Sequence, residues 1–333
     1  MTTKREPWID LVKGIAILAV LVDHTFFEPR IGRPLCVAWS YFSVALFVLI
    51  GGYNAGRTQA RRVGDSLLSS VPWRGIRCLL GAYLVAVLVF HVVGTQSFAL
   101  SDYLRECVSF NAVGPFYFVA FYVQLLAISP ILYRSLCRCQ WLALIAIALA
   151  AHWMTRHTLV FEQAYGAGKC LFGGYFLLAY ALGMAFSLWP QPSRRMSCWV
   201  GLAGLAFSLV LGCAPARNLI CSLNRTFGFA LYNLNPSGGL WLLVALSVFF
   251  LVRALPPSPR CLDSLAMKAL LAVGRESMMI FLYHVLVLMT LDRVIPWAHP
   301  LVGAVDFLLA AAVPVIGVNA FRRGVRWWND SRS

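Results

Sequence analysis

Apolar residues in this chain gather in long runs, several of them close to twenty residues, which are separated by short basic segments. An α-helix needs about twenty apolar residues to cross the hydrocarbon core of a bilayer. The pattern therefore predicts an all-α integral membrane protein, built as a bundle of about ten transmembrane helices. The predicted spans are 8–27, 35–56, 78–96, 114–133, 140–154 (the shortest), 170–189, 197–213, 236–254, 269–290 and 299–320.

The basic residues between these spans are distributed unevenly. With a cytoplasmic N-terminus, eighteen lysines and arginines lie on the cytoplasmic side and eight lie outside. Cytoplasmic loops of membrane proteins carry such an excess of Lys and Arg. We therefore expect both termini in the cytoplasm. The first span has no small-residue cleavage site after it, so we expect it to be retained in the protein.

The composition supports an integral membrane protein and limits the binding partners that we expect. Apolar residues make up 60% of the 333 and charged residues 12%, with a mean hydropathy of +0.74, whereas soluble domains have about 25% charged residues. The net charge of +15 follows from loop arginines that contact anionic lipid headgroups, so we expect no nucleic-acid partner. The ten cysteines are scattered without a CxxC pair, and we expect no metal site. The predicted organisation is a transmembrane domain at 5–320 and a basic cytoplasmic tail at 321–333.

The first span differs from the others because ionisable groups interrupt it. Asp10, Lys13, Asp23 and His24 lie within an otherwise apolar run, and such groups inside a membrane usually face a protein interior or a water-filled cavity. Lys13 and His24 are eleven residues apart, which is three helical turns with about 20° left over. They share one face, about 16 Å apart along the axis, and Asp10 lies one turn before Lys13 on the same stripe.

Three of the six histidines have different interpretations. An imidazole exchanges protons near neutral pH, so His24 is a candidate acid or base. A lone His at a helix end often lies among lipid headgroups, but the stripe with Lys13 favours a functional role. His284, in the ninth span, either lines the same cavity or hydrogen-bonds within the bundle. His91 stands alone on an apolar span and is interpreted as a buried, hydrogen-bonded residue.

Two arginines lie at the predicted cytoplasmic end of the third span. Arg74 and Arg77 are three residues apart, and paired guanidinium groups suit phosphate or pyrophosphate ligands. The charge bias that orients the protein explains them equally well. Further upstream, Gly51, Gly52 and Gly56 end the second span, where small residues allow helices to approach closely.

Four short motifs follow one another along the chain. The first is a basic residue, ten residues and a His, here Lys13 and His24. The second is a Phe-rich helix that ends in Gly51, Gly52 and Tyr53. The third is an aromatic cluster followed by Tyr122, Gln124, Leu125 and Pro130. The fourth is Gly274, Ser277 and His284. In this order the motifs resemble those of the acyltransferase-3 family of integral membrane acyltransferases. Many members have Arg in place of Lys13 and Ser in place of Gly51, and they have a Pro after the His that corresponds to His284.

This resemblance, which runs from about residue 5 to 320, implies an activity and a donor. Family members transfer an acyl group, commonly acetyl, from cytoplasmic acyl-CoA to a hydroxyl of an extracytoplasmic glycan or lipid-linked sugar. It implies that His24 is a general base or acyl carrier, that Lys13 and Asp10 position the donor, and that the protein lies in a bacterial inner membrane. The chain resembles the stand-alone type, without a fused hydrolase-like domain. The remaining candidates for the cavity are Asp23, Tyr122, Gln124, Ser277 and His284.

Other functions fit parts of the sequence. Polar residues and glycines within spans are also typical of a transporter or flippase for a sugar or an anion, but the hydropathy shows no inverted repeat. Some relatives of the family modify small metabolites instead of glycans. An inert membrane subunit is a third alternative. The acyl group, the acceptor and the oligomeric state stay open.

Overall fold

A computed structural model describes residues 6–25, 42–62, 64–95, 99–110, 112–156, 171–190, 192–212, 239–255, 257–294 and 300–330. All regular structure in these segments is helical, without a strand. The helices are α1 (Pro7–Thr25), α2 (Phe42–Gln59), α3 (Leu67–Ser70), α4 (Trp73–Thr95), α5 (Leu100–Ser109), α6 (Tyr117–Arg138), α7 (Gln140–Arg156), α8 (Tyr175–Leu188), α9 (Arg194–Gly212), α10 (Gly239–Ala254), α11 (Pro259–Asp263), α12 (Leu265–Arg275), α13 (Ser277–Val294) and α14 (Pro300–Asp330).

The chain divides into two compact units. The first joins Met1–Ser43 to Pro257–Ser333, and the second comprises Val44–Pro256. In the first unit α1 packs most extensively against α12 and also contacts α13 and α14. In the second unit α6 packs on α4, α7 and α8, and α9 packs on α10.

Four of the described helical segments are long and apolar enough to cross a membrane: Trp73–Val93, Gly114–Arg138, Ser277–Val294 and Gly303–Arg323. Shorter apolar helices cover Gln140–Thr155, Tyr175–Leu188 and Trp241–Ala254. The length and apolar composition of these helices indicate that the chain is a membrane protein. The count of ten spans and the cytoplasmic termini stay predictions, and the predicted span residues 26–27, 35–41, 96, 170, 213, 236–238 and 299 lie outside the described segments.

Two boundaries differ from the prediction. The predicted ninth span, 269–290, is not one helix, because α12 ends at Arg275 and α13 begins at Ser277. Glu276 between them has φ −97° and ψ 13°, which is outside the helical region and interrupts the hydrogen-bond ladder. The last helix is longer than the predicted tenth span, since α14 continues to Asp330, and the division into a transmembrane domain and a tail stays a prediction. Hydropathy alone marks neither feature, because both lie within runs of helix-forming residues.

Glycines allow two helix pairs to touch backbone to backbone. A Cβ at Gly274 of α12 would overlap the carbonyl oxygen of Asp10 in α1, and one at Gly14 would lie 2.7 Å from the carbonyl oxygen of Leu270. In the second unit, a Cβ at Gly52 of α2 would overlap the backbone of Tyr180 in α8. Close approach through small residues is a common way for helices to pack in membranes.

Candidate active site

The polar residues of α1 occupy different environments. Asp10 is buried in the first turn, Lys13 and Asp23 are partly buried, and His24 is exposed in the last turn. The Asp23 carboxylate is close enough to His24 to interact with it electrostatically. On the apolar side of α1, Ile17 and Leu21 are completely buried. Helix packing therefore fixes α1 while its last turn presents an imidazole at the surface.

The neighbouring helix α13 begins immediately after the break at Glu276. The Glu276 carboxylate accepts two hydrogen bonds from the Arg322 guanidinium of α14, at 2.5 and 3.1 Å, and its side chain is 11% exposed. Bidentate pairs of this kind combine charge with a fixed geometry. Ser277 is buried at the first position of α13. Glu276 was not among the residues predicted from the sequence, in which it appears only as a lone carboxylate within an apolar run.

His284 lies two turns further along α13 and is completely buried. Its Nδ1 is 2.8 Å from the carbonyl oxygen of Phe281 and 3.1 Å from that of Ile280. Backbone carbonyls only accept hydrogen bonds, so Nδ1 carries a hydrogen and donates it. The ring is therefore held by its own helix, which is one of the two roles that the sequence left open.

The structure brings His284 and His24 together. Their ring centroids are 4.9 Å apart and the ring planes are inclined by 48°. His284 is thus both bonded to its own helix and adjacent to the exposed imidazole of α1. The two residues come from opposite ends of the sequence, and the packing of α1 against α12 and α13 places them side by side.

The second unit holds the two candidate donor-binding arginines. Arg74 and Arg77 are both exposed in the first turns of α4, while Ile76 and Leu79 of the same segment are buried. Residues three apart lie on the same helix face, so the guanidinium groups share one surface. The N-terminal end of a helix also carries a partial positive charge that attracts anions. Both features make this end of α4 suitable for phosphate groups.

Two further candidates in the second unit have structural contacts. The Tyr122 ring stacks on Phe118 with centroids 5.1 Å apart, and a Cβ at Gly51 would lie 2.5 Å from the Tyr122 hydroxyl. Gln124 Oε1 accepts a hydrogen bond of 2.9 Å from the backbone N–H of Phe172, which has a positive φ of 52°. Gln124 therefore supports a left-handed turn residue, and a role in a cavity is an additional hypothesis.

His91 differs from the histidine pair of the first unit. It is buried, and its Nδ1 lies 3.1 Å from Glu106 Oε2. This contact confirms the interpretation of His91 as a buried residue with a hydrogen-bond partner. Within the described segments, no group of three or more His, Cys, Asp or Glu side chains could hold a metal ion.

The family model of the acyltransferase-3 family, described as an acyltransferase domain, matches residues 6–321. The chain belongs to the acyltransferase-3 family. The match covers α1, both histidines, Arg74 and Arg77, and almost all of the described chain. The resemblance drawn from four motifs is therefore confirmed, and at family level this acyltransferase-3 protein is an acyltransferase. No curated protein and no solved structure matches it.

Proposed function

We propose that this protein transfers an acyl group, most simply acetyl, from cytoplasmic acyl-CoA to a hydroxyl of an extracytoplasmic glycan or lipid-linked sugar. The protein then lies in a bacterial inner membrane, with residues 5–320 forming the transferase and 321–333 a cytoplasmic tail. The observation that carries the proposal is the exposed imidazole of His24 at the end of α1, in contact with a second imidazole and three turns from Lys13.

In the proposed chemistry His24 is the general base. Its unprotonated ring nitrogen takes the proton from the acceptor hydroxyl as that oxygen attacks the thioester carbonyl of the donor. The bond between the carbonyl carbon and sulfur then breaks, and the thiolate leaving group receives the proton back from His24. The products are the O-acyl sugar and free coenzyme A, with no net change in His24.

Lys13 and Asp10 lie toward the other end of the same helix. A partly buried ammonium group suits the polar atoms of the donor, and Asp10 lies one turn away on the same stripe. Lys13 and His24 are about 16 Å apart along the axis, a span comparable to the length of an extended pantetheine arm. We infer that α1 accompanies the arm and acyl group of the donor.

The phosphates of the donor need cationic partners. Arg74 and Arg77 are exposed on one face at the start of α4, and guanidinium groups stay charged while binding phosphate in a bidentate manner. We assign them to the pyrophosphate of coenzyme A. The donor is a substrate and needs no resident cofactor.

Mass spectrometry of surface glycans tests this function directly. Glycans from cells with the gene are expected to carry an added mass equal to one acyl group, 42 Da for acetyl, that is absent without the gene. A complementing copy that encodes the wild type restores the shift. Glycans of identical mass in both strains, together with gene-dependent uptake or export of a sugar or anion, would favour the transporter hypothesis.

A further inference from the structure

His284 has one ring nitrogen whose partner is missing from the described part of the chain. Nδ1 donates to the backbone of its own helix, so in the neutral ring Nε2 carries the lone pair and can only accept. Nε2 is buried and has no hydrogen-bond partner among the described residues. Buried polar atoms nearly always have a partner in folded proteins. The side chain is therefore arranged to accept a hydrogen from a group that comes to it.

His24 is the adjacent group that can supply this hydrogen. Two imidazoles joined by an N–H···N bond of ~2.9 Å have ring centroids about 5 Å apart, and the observed separation is 4.9 Å. The χ2 angle of a histidine is broad and roughly two-fold. Rotation of the ring by 180° about the Cβ–Cγ bond exchanges the positions of ring nitrogens and carbons and leaves the ring nearly in place. Because His24 is exposed, its ring has room for this rotation.

We propose that His284 is the positioning residue of this transferase: its Nε2 accepts a hydrogen bond from one ring N–H of His24. The other nitrogen of His24 then carries the lone pair and faces the acceptor hydroxyl. The inference rests on the proposed function, since it assigns His284 to the same reaction in which His24 is the base.

The proton balance follows from this arrangement. The hydroxyl proton moves to the free nitrogen of His24, which then carries hydrogens on both nitrogens. Its bond to His284 persists throughout, because that bond uses the hydrogen already present. The proton then leaves from the same nitrogen to the departing thiolate. His284 neither gains nor loses a proton, because its Nδ1 keeps the hydrogen that it donates to the carbonyl oxygen of Phe281 and its Nε2 only accepts.

In this role His284 corresponds to the orienting group of a catalytic triad, which accepts a hydrogen bond from the base and thereby fixes its tautomer. In the proposed arrangement the orienting acceptor is a neutral imidazole, and its own tautomer is set by the carbonyl of Phe281. The chain of contacts thus begins at the backbone of α13 and ends at the exposed ring on α1. Removing the acceptor leaves His24 in place but no longer selects which nitrogen carries its hydrogen.

Three substitutions at His284 separate positioning from packing. The amide oxygen of His284→Gln extends to about the place of Nε2 and still accepts a hydrogen bond. His284→Asn is polar but too short to reach that place, and His284→Leu fills the space without accepting. With labelled acyl-CoA and purified protein, we expect the Gln variant to keep kcat within tenfold of wild type. The Asn and Leu variants should lose about a hundredfold, with KM for both substrates changed less than threefold.

Controls distinguish this inference from the function it rests on. Each variant is compared at equal amounts of folded protein, measured as the monodisperse fraction in detergent, and His152→Gln serves as a histidine substitution elsewhere in the chain. In a His24→Ala background, His284→Asn should cause no further loss, because residues acting as a unit are not additive.

The outcomes are decisive for each claim separately. The positioning role would be overturned by Asn and Leu variants of His284 that keep the wild-type kcat, or by a Gln variant whose kcat is no higher than that of the Leu variant. A loss of acyl transfer in His24→Ala would still support the proposed function in either case. Additional loss from His284→Asn in the His24→Ala background would also overturn the positioning role. A wild-type protein without any acyl transfer would overturn the proposed function, and the inference with it.

Discussion

At the scale of single residues, the account depends on an imidazole that is exposed and oriented. His24 lies at the end of a helix whose apolar side is buried, and His284 beside it is fixed by its own backbone. Single groups of this kind contribute about a hundredfold to ten-thousandfold to a reaction by proton transfer. The individual side chains therefore have distinct expected effects.

His24→Ala is expected to lower acyl transfer by about a hundredfold to ten-thousandfold, to a residual rate, because no other exposed imidazole in the described segments adjoins a second one. The protein should remain inserted, since the side chain is exposed and contributes little packing. Turnover per folded molecule is the measurement, with His91→Ala as the comparison. Near-normal product from His24→Ala would remove the proposed mechanism.

Arg77→Ala is expected to raise KM for acyl-CoA about tenfold, since a charged hydrogen bond contributes roughly 1.5–3 kcal/mol. KM for the acceptor should change little. Arg61→Ala is the matched control, because Arg61 is also an exposed arginine in a predicted cytoplasmic segment. Equal KM values for the donor in Arg77→Ala and wild type would assign Arg77 to membrane orientation alone.

At the scale of helices, glycine contacts decide where α1 and α12 meet. Gly274 touches the backbone of Asp10, and Gly14 touches that of Leu270. Both histidines belong to this unit, so their separation depends on how α1 packs against α12 and α13. Displacement of one helix changes the site without altering any of its residues.

Gly274→Ala is therefore expected to lower both thermal stability and kcat. The added methyl group meets a backbone carbonyl, which cannot rotate away as a side chain can, and overpacking of this kind costs about 1–3 kcal/mol. Gly81→Ala in α4 is the matched control, because nothing lies within 4 Å of its added Cβ. That change should be neutral or stabilise the helix by up to about 1 kcal/mol. A Gly274→Ala protein as stable and active as the Gly81→Ala protein would contradict the packing argument.

Much of the element pattern follows from the sequence because membrane helices are long and apolar. The helical class and the pairing of His24 with Lys13 on one helix depend only on local periodicity. The break at Glu276 could not be predicted in this way, since local periodicity does not mark it, and the partner of its carboxylate is the distant Arg322. The contact between His24 and His284 joins residues 260 positions apart, and only tertiary packing brings them together. The backbone bond that orients His284 is likewise invisible in a hydropathy pattern.

At the scale of the whole molecule, the charge distribution assigns a direction to the reaction. The eighteen basic residues on one predicted side orient the bundle, and Arg74 and Arg77 belong to that side. In the predicted topology, the N-terminal end of α1 faces the cytoplasm and His24 faces outward. If acyl-CoA is the donor, as we propose, it is too polar to cross the hydrocarbon core, and its acyl group would be presented through the protein.

Reporter fusions at two positions test the predicted topology. A fluorescent protein fused after Arg326 should fold and fluoresce, because we place that end in the cytoplasm, whereas alkaline phosphatase at the same position should be inactive. Phosphatase fused in the predicted outer segment near Arg217 should be active. An active phosphatase fusion after Arg326 would contradict the predicted topology.

Transfer across the membrane is the central claim, and sealed vesicles of known orientation test it most directly. The purified protein is reconstituted, labelled acyl-CoA is supplied only on the face that corresponds to the cytoplasm, and the hydroxyl acceptor is confined to the opposite face. The His24→Ala protein and vesicles without protein provide the background. We predict label on the acceptor in the wild-type vesicles alone. Label that appears only when donor and acceptor share the cytoplasmic face would contradict transmembrane transfer and would instead indicate an enzyme that modifies a cytoplasmic metabolite.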